Sequence, residues 1–269
     1  MPRTKRSRGS RRRRTVAIDL AGRAAIVTGG SRGIGRACVE TLAAAGADVL
    51  FSYRSHAAAA RDLERRVRAA GGRAVAIRAD VARPQDCDTL VRTAIRRFGR
   101  ADILVNNAGI WEPPEGAGVG KISNAQWART LRVNLDGAFH CTRAAVPAMQ
   151  ERRWGRIVNI ASTAGQRGEA LHSDYAASKG AIISFTKSLA TELGPHGILV
   201  NAVAPWWVYT DMSRAILDRE GTAGGESSPL GRVATPEEIA GPVLFLCTDL
   251  ASFITGEILN VNGGTILCG

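Results

Sequence analysis

Short apolar segments alternate with stretches of helical periodicity along this chain, and the alternation limits the possible folds more than any other feature. Seven segments have the length and composition of buried strands: Ala24–Thr28, Val49–Ser52, Ala74–Arg78, Ile103–Asn106, Arg156–Ile160, Leu199–Val203 and Ile258–Val261. Between them, stretches such as Pro84–Phe98 carry apolar residues at steps of three and four. Strands joined by helices form parallel sheets covered on both faces. The sequence therefore predicts an α/β fold with a doubly wound, seven-stranded parallel sheet flanked by helices.

Capping residues mark several helix starts. Thr235-Pro-Glu-Glu238 has the pattern of a capping box with proline in the first turn, and Ser123-x-x-Gln126 is a weaker example. Further helices are expected to begin near Asp136 and near Asp174. By contrast, Thr210–Arg232 is rich in glycine, serine and proline, which predicts a mobile loop or lid. It follows the carboxyl end of a strand, where open α/β sheets bind ligands.

Positive charge is concentrated at the amino terminus. The net charge is +12, and residues 1–14 hold eight positive side chains and no acid, which leaves +4 for the rest. A run of like charges without apolar residues cannot build a core. We therefore expect a disordered basic tail over residues 1–19 and one folded domain over residues 20–269. The tail is either a solvated extension, which we favour, or a weak and salt-dependent site for nucleic acid or another polyanion.

Cysteine usage and hydropathy exclude several classes of protein. Neither the five cysteines nor the four histidines have the spacing of metal ligands, so no metal site is expected. Reduced thiols are typical of a cytoplasmic protein. No apolar run approaches the ~20 residues that cross a bilayer, so no membrane span is expected.

A glycine-rich turn, Thr28-Gly-Gly-Ser-Arg-Gly-Ile-Gly35, joins the first strand to the first helix. Glycine lets the backbone approach a ligand closely, and the helix that follows directs its free N–H groups and its positive dipole end at the turn. This position in the fold favours a pyrophosphate-binding site over a purely structural turn.

A phenol and an ammonium group lie one helical turn apart in Tyr175-Ala-Ala-Ser-Lys179. Unperturbed tyrosine, with a pKa of about 10, is a poor base at neutral pH, and a nearby positive charge lowers that pKa. Ser162 ends the fifth predicted strand, thirteen residues before Tyr175. The combination predicts a general acid–base site. No G-x-S-x-G motif surrounds Ser162, which argues against acyl transfer. The nearby His172 is either a solvated loop residue, which is the commoner case, or a substrate contact.

Together these motifs resemble those of the short-chain dehydrogenase/reductase family over roughly Leu20–Gly269. The glycine turn has the spacing T-G-x-x-x-G-x-G, Asn106-Asn-Ala-Gly109 follows the fourth strand, and Asn260-Val-Asn-Gly-Gly264 lies near the carboxyl end. The family's catalytic set is matched in order and spacing by Asn134, Ser162, Tyr175 and Lys179. The pattern is most similar to 3-oxoacyl-acyl-carrier-protein reductases. The resemblance implies a Rossmann-type fold, a nicotinamide cofactor and a homotetramer.

The resemblance also implies a role for each site residue. Tyr175 would donate a proton to the carbonyl oxygen, and Ser162 would hydrogen-bond the same oxygen. Lys179 would hold the nicotinamide ribose and lower the pKa of the tyrosine, while Asn134 would order a water that links Lys179 to solvent. The implied cofactor-binding residues are Gly29, Ser31, Arg32, Gly33, Ile34, Gly35, Arg54, Asp80, Val81, Asn107, Ala108, Gly109, Tyr175, Lys179, Pro205, Val208 and Thr210.

The choice between NAD and NADP is made after the second strand. An acid there would bond the free 2′-hydroxyl of the ribose and repel a 2′-phosphate. This chain instead has Arg54 there, and Arg32 lies inside the glycine turn. Two guanidinium groups give charge-assisted contacts to one phosphate, so NADP(H) is predicted. Asp80-Val81 resembles the family's adenine-contacting pair, although Asp80 could also cap the following helix.

One segment, Pro205-Trp-Trp-Val-Tyr-Thr210, departs from the family pattern, because Trp206 stands where glycine is usual. This indole could narrow the substrate pocket, stack near the nicotinamide or obstruct the cofactor, and it would be strained if the position required a positive φ. The alternative is that Trp206 and Trp207 only pack beneath the mobile loop.

The predicted function is NADPH-dependent reduction of a small-molecule or carrier-bound carbonyl, or oxidation of the matching alcohol. The loops at Trp111–Lys121 and Thr210–Arg232 set the substrate, which leaves 3-oxoacyl thioesters, secondary alcohols, sugars and polyketides open. The alternative is a catalytically weak NADP-binding protein in which Trp206 blocks the cleft and the tail binds a partner.

Overall fold

The computed structural model describes residues 18–112, 118–220 and 228–267. Apart from Ile18 and Asp19, the predicted basic tail lies outside the described residues. The same holds for residues 113–117 and 221–227, which belong to the two predicted substrate loops.

Seven parallel strands form one sheet in the order β3-β2-β1-β4-β5-β6-β7, which confirms the predicted fold class. The strands are β1 Ala24–Val27, β2 Asp48–Tyr53, β3 Arg73–Arg78, β4 Ile103–Asn106, β5 Gly155–Ile160, β6 Ile198–Pro205 and β7 Ile258–Val261. The predicted ends are off by up to two residues, because backbone pairing continues past the apolar run. In β6, for example, Pro205 still pairs with Val261.

Helices cover both faces of the sheet. They are α1 Gly33–Ala44, α2 Ala57–Ala69, α3 Pro84–Phe98, α4 Asn124–Leu131, α5 Gly137–Arg152, α6 Ala164–Arg167, α7 Ser173–Leu193, α8 Arg214–Glu220 and α9 Pro236–Cys247. The side chains of α1, α2 and α9 share one apolar cluster with the sheet, and those of α3, α5 and α7 share another. The capping box predicted at Thr235 is confirmed, since Thr235 and Glu238 each cap the other's backbone N–H.

The two helices predicted near Ser123 and Asp136 are one continuous helical segment. Five residues of π-helix, Arg132–Asp136, connect α4 directly to α5. The α-helix expected near Asp136 is present and begins at Gly137, but it continues directly from the π-helical turn, because one inserted residue widens the turn without ending the helix. The weaker capping pattern is half formed: Ser123 accepts from the Gln126 backbone, but the Gln126 side chain donates to Asp174.

The central strands are buried at every position, as expected for a parallel sheet covered by helices. Strand β1 is apolar throughout and β4 is apolar up to its last residue, whereas β5 also buries Arg156 and Asn159 within the strand. The order of strands reverses between β1 and β4, and the crevice at such a point is where doubly wound sheets bind ligands. None of the described helices combines the length and the apolar character that crossing a bilayer would demand.

Candidate active site

The glycine turn after β1 packs more tightly than any other residue type would allow. A Cβ added to Gly35 would lie 2.3 Å from the carbonyl oxygen of Gly29, and Gly29 itself has a positive φ of 64°. Helix α1 begins here, and its N-cap residue Arg32 makes no side-chain capping bond. The first-turn N–H groups of α1 are thus left to a ligand.

A second turn, after β4, is tied to the first by side-chain hydrogen bonds. Thr28 Oγ1 accepts from the backbone N–H of Asn107 at 3.0 Å and from that of Ala108 at 2.9 Å. In return, Asn107 Nδ2 donates to the carbonyl oxygens of Thr28 at 2.8 Å and of Gly29 at 3.2 Å. The Asn107 side chain therefore fixes the two turns against each other.

One cleft of about 430 Å³ runs along the carboxyl ends of the strands. Every predicted cofactor-binding residue lines it, from Gly29 to Thr210, and so do Ser162, Tyr175 and Lys179. Of the predicted site residues, Asn134 alone is not part of this lining. The topology thus brings together residues that are far apart in sequence.

The two arginines predicted to select the cofactor line one end of this cleft. Arg32 lies 3.8 Å from Asp211, an exposed ion pair that links the glycine turn to the segment before α8. The backbone carbonyl of Arg54 accepts a hydrogen bond from Arg78. Asp80 Oδ1 accepts from the Ala82 N–H, so its carboxylate caps the turn before α3 while it also lines the cleft.

Tyr175 and Lys179 lie in the first two turns of α7 and both face the cleft. Burial raises the pKa of Tyr175 to about 12, against the effect of a hydrogen bond with Ser162 that lowers it. Lys179 is 5% exposed, and burial lowers its pKa to about 8. Its Nζ donates to the Ile160 carbonyl at 2.7 Å and lies 5.7 Å from the centre of the Tyr175 ring.

The resemblance implied that Lys179 lowers the pKa of Tyr175, but in this geometry the pKa of Tyr175 is raised. The ammonium group is directed at the end of β5, and removal of water from the phenol outweighs the hydrogen bond from Ser162. In the unliganded protein Tyr175 is therefore a neutral phenol, which is the form that donates a proton.

Asn134 occupies the centre of the π-helical turn and is buried. Its amide exchanges hydrogen bonds with the backbone of Ile110 at 2.8 and 2.9 Å and donates to Ser178 at 3.0 Å. A Cβ placed on Gly109 would lie 3.3 Å from Asn134 Oδ1 and 3.7 Å from Lys179 Nζ. Asn134 is thus close to the lysine and holds the chain just after the second turn.

The hydrogen-bond donors that line the cleft are suited to binding a dinucleotide. Free backbone N–H groups at the start of α1 and the guanidinium groups of Arg32 and Arg54 favour phosphates. Acid–base groups lie in the same cleft. Within the described ranges, no group of three or more His, Cys, Asp or Glu could hold a metal ion.

Comparison with known proteins agrees with this geometry. A family model described as enoyl-(acyl carrier protein) reductase matches residues 29–265. The chain belongs to that family, a branch of the short-chain dehydrogenases/reductases. As a member it is an oxidoreductase of the carbonyl/hydroxyl type.

Similar short-chain reductases span nearly the whole chain. The chain is 40% identical to the 3-oxoacyl-acyl-carrier-protein reductase of Synechocystis sp., over 92% of this chain and 98% of that protein. It is 42% identical to the short-chain reductase protein NovJ of Streptomyces niveus, over 89% of this chain and 92% of that protein. Among solved structures, a dehydrogenase/reductase from Sinorhizobium meliloti 1021 superposes with a TM-score of 0.85, at 38% identity over 93% of this chain and 97% of that one.

Among the residues of this short-chain dehydrogenase/reductase that line the cleft outside the predicted site are the aromatic side chains of Trp111, His172, Trp206 and Trp207. Trp206 forms part of the wall of the continuous cleft. It is not among the described non-glycine residues with positive φ, so its backbone does not carry the strain that a positive φ would impose. His172 is only partly exposed and belongs to this wall. The sequence analysis left the roles of Trp206 and His172 open and placed Trp111 at the start of a predicted substrate loop. It did not predict that Trp111 and Trp207 would be in contact, because this contact depends on loop conformation.

Proposed function

We propose that this protein reduces a ketone with NADPH, and that Tyr175 is the proton donor. The observation that carries the proposal is that Ser162, Tyr175 and Lys179 line the same cleft as the residues of the glycine turn. Two hydroxyl groups that face one cleft suit the oxygen of a carbonyl, which accepts two hydrogen bonds.

The chemistry divides between the cofactor and the chain. A reduced nicotinamide bound here would supply hydride to the carbonyl carbon. Ser162 orients the carbonyl oxygen, and Tyr175 gives that oxygen its phenolic proton, which completes the alcohol. Lys179, charged below a pH of about 8, binds the ribose. Asn134 holds the backbone beside Lys179 and orders the water through which the proton returns.

Removal of Ser162 tests the assignment. NADPH consumption is followed with a panel of β-ketoesters and simple ketones, and the parent protein should oxidise NADPH with at least one of them. Ser162→Ala should lower kcat by about 10²- to 10³-fold, the usual cost of one hydrogen-bond donor to a developing oxyanion. Consumption that is the same in the variant would refute the role of Ser162.

The preference for NADPH over NADH rests on Arg54 and Arg32 and on the lack of an acid after β2. Arg54→Asp should shift the ratio of kcat/KM values toward NADH, because a carboxylate repels the 2′-phosphate and bonds the 2′-hydroxyl. Arg61→Asp makes the same change of charge at an exposed site of α2, outside the cleft, and should leave the ratio unchanged. An unaltered ratio in Arg54→Asp would contradict the assignment.

The substrate class is proposed from the relatives whose names specify 3-oxoacyl-acyl-carrier-protein reduction. A 3-oxoacyl thioester or a related ketone, free or carrier-bound, would place its keto group at Tyr175. By family analogy we also propose a homotetramer. A cytoplasmic location would keep its four buried, free cysteines reduced: Cys38, Cys87, Cys141 and Cys247.

The blocked-cleft alternative has no supporting observation, since Trp206 lies on the wall of a continuous cleft. Turnover by Trp206→Gly in the absence of turnover by the parent protein would revive it.

A further inference from the structure

The substrate end of the cleft has an aromatic wall contributed by three separate segments. Trp111 follows β4, His172 immediately precedes α7, and Trp206 and Trp207 follow β6. All four side chains line the same cleft as Tyr175.

Two of these indoles form a corner. The ring centres of Trp111 and Trp207 are 5.7 Å apart, and their planes meet at 80°. A third flat ring in such a corner can stack on one indole while it meets the other edge to face, and both arrangements are favourable for aromatic pairs. An alkyl chain fills the same volume without either interaction.

His172 contributes a third aromatic ring to the corner. Its ring centre lies 4.7 Å from that of Trp111, at an interplanar angle of 44°. Burial lowers its pKa, against the opposite effect of Glu169 and Asp174. Its buried Nδ1 has no hydrogen-bond partner among the described residues, so in this geometry the ring serves packing rather than a charge relay.

We propose that the aromatic corner formed by Trp111, His172 and Trp207 selects ketones that carry an aromatic ring. The inference rests on the proposed carbonyl reduction and adds the class of substituent that the substrate bears. It applies equally to a free aryl-substituted ketone and to an aryl-substituted 3-oxoacyl thioester.

Two ketones of matched chain length and ring size separate aromatic recognition from plain apolar burial. In 4-phenylbutan-2-one and 4-cyclohexylbutan-2-one the carbonyl is equally remote from a six-membered ring, so its intrinsic reactivity is alike. A merely apolar pocket prefers the cyclohexyl compound, which is the more hydrophobic of the two. The aromatic corner predicts the opposite, with kcat/KM for the phenyl compound higher by about tenfold and the difference mainly in KM.

Single substitutions locate the preference. Trp111→Leu and Trp207→Leu should each abolish the phenyl preference while turnover of the cyclohexyl compound persists. Trp111→Phe, which keeps a ring, should retain part of the preference. Trp127→Leu is the matched control, since Trp127 is exposed on α4 outside the cleft, and it should change nothing. Thermal melting of each variant checks that it is folded.

Calorimetric binding of both ketones to the cofactor-loaded protein keeps the two proposals distinguishable. Tighter binding of the phenyl compound without NADPH consumption would preserve the aromatic corner and overturn the proposed function. Equal or weaker binding and turnover of the phenyl compound, or a preference that survives in Trp111→Leu and Trp207→Leu, would overturn the aromatic corner alone.

Discussion

At the scale of single residues, the site combines a neutral phenol with a buried ammonium group. Lys179 is buried, and no carboxylate of the described residues forms an ion pair with it. Among the described residues, its Nζ donates a hydrogen bond only to the Ile160 carbonyl. A buried charge without an ion-pair partner lowers the free energy of unfolding. Residues that lower stability in this way are typically kept because the function needs them and not because the fold does.

The cost of Lys179 predicts a pH-dependent gain in stability on its removal. A pKa lowered from 10.5 to about 8 corresponds to about 3 kcal/mol. The penalty is complete below pH 8, where the folded protein holds a buried charge, and it vanishes as the pH rises to 10.5, because the unfolded chain then also loses the proton. Lys179→Met should therefore raise the free energy of unfolding at pH 7 by up to about 3 kcal/mol and by less at pH 9.5.

Urea unfolding at the two pH values measures this difference in the absence of cofactor. Lys187→Met, an exposed position on the same helix, is the control and should stay within about 0.5 kcal/mol of the parent protein at both. A destabilised Lys179→Met variant at pH 7 would show that the ammonium contributes to the fold.

At the scale of elements, the turn between β1 and α1 leaves no room for a side chain at Gly35. The approach of Gly35 to the Gly29 carbonyl brings two backbone segments into contact and leaves the start of α1 open to a ligand. A methyl group there must displace backbone rather than a flexible side chain.

Gly35→Ala should therefore lower the free energy of unfolding by about 3 kcal/mol or more and remove affinity for NADPH. Gly241→Ala is the matched control, because a Cβ at this exposed position inside α9 would meet nothing within 4 Å. Alanine there should stabilise the helix by about 0.5–1 kcal/mol. The measurements are urea unfolding and NADPH titration, and wild-type values for Gly35→Ala would contradict the packing argument.

At the scale of the whole molecule, strand order decides which sequence-distant residues meet. Gly29, Asn107, Ser162 and Pro205 all follow or end strands, and the sequence predicted their shared location because parallel strands end at one edge. The sequence could not predict the π-helical turn at Asn134, the Arg32–Asp211 ion pair or the Trp111–Trp207 corner. Each of these depends on the path of a loop or on one inserted residue, which hydrophobic periodicity does not encode.

The basic tail is a whole-molecule feature with its own prediction. Residues 1–14 carry eight positive charges and lie outside the described part of the chain. Deletion of these residues should leave the melting temperature and NADPH-dependent turnover unchanged, since the strands and the site begin at Ala24. Lost turnover, or lost retention on nucleic acid at low salt, would assign the tail a function.

The most direct measurement is turnover of a ketone by Tyr175→Phe, with Tyr209→Phe as control. Tyr209 is exposed, donates to Asp218 and lies outside the cleft, so its loss should leave kcat unchanged. If the Tyr175 phenol supplies the proton, Tyr175→Phe should still bind NADPH but lose at least about 10²-fold in kcat. A Tyr175→Phe variant that reduces ketones at the parental rate would contradict the account.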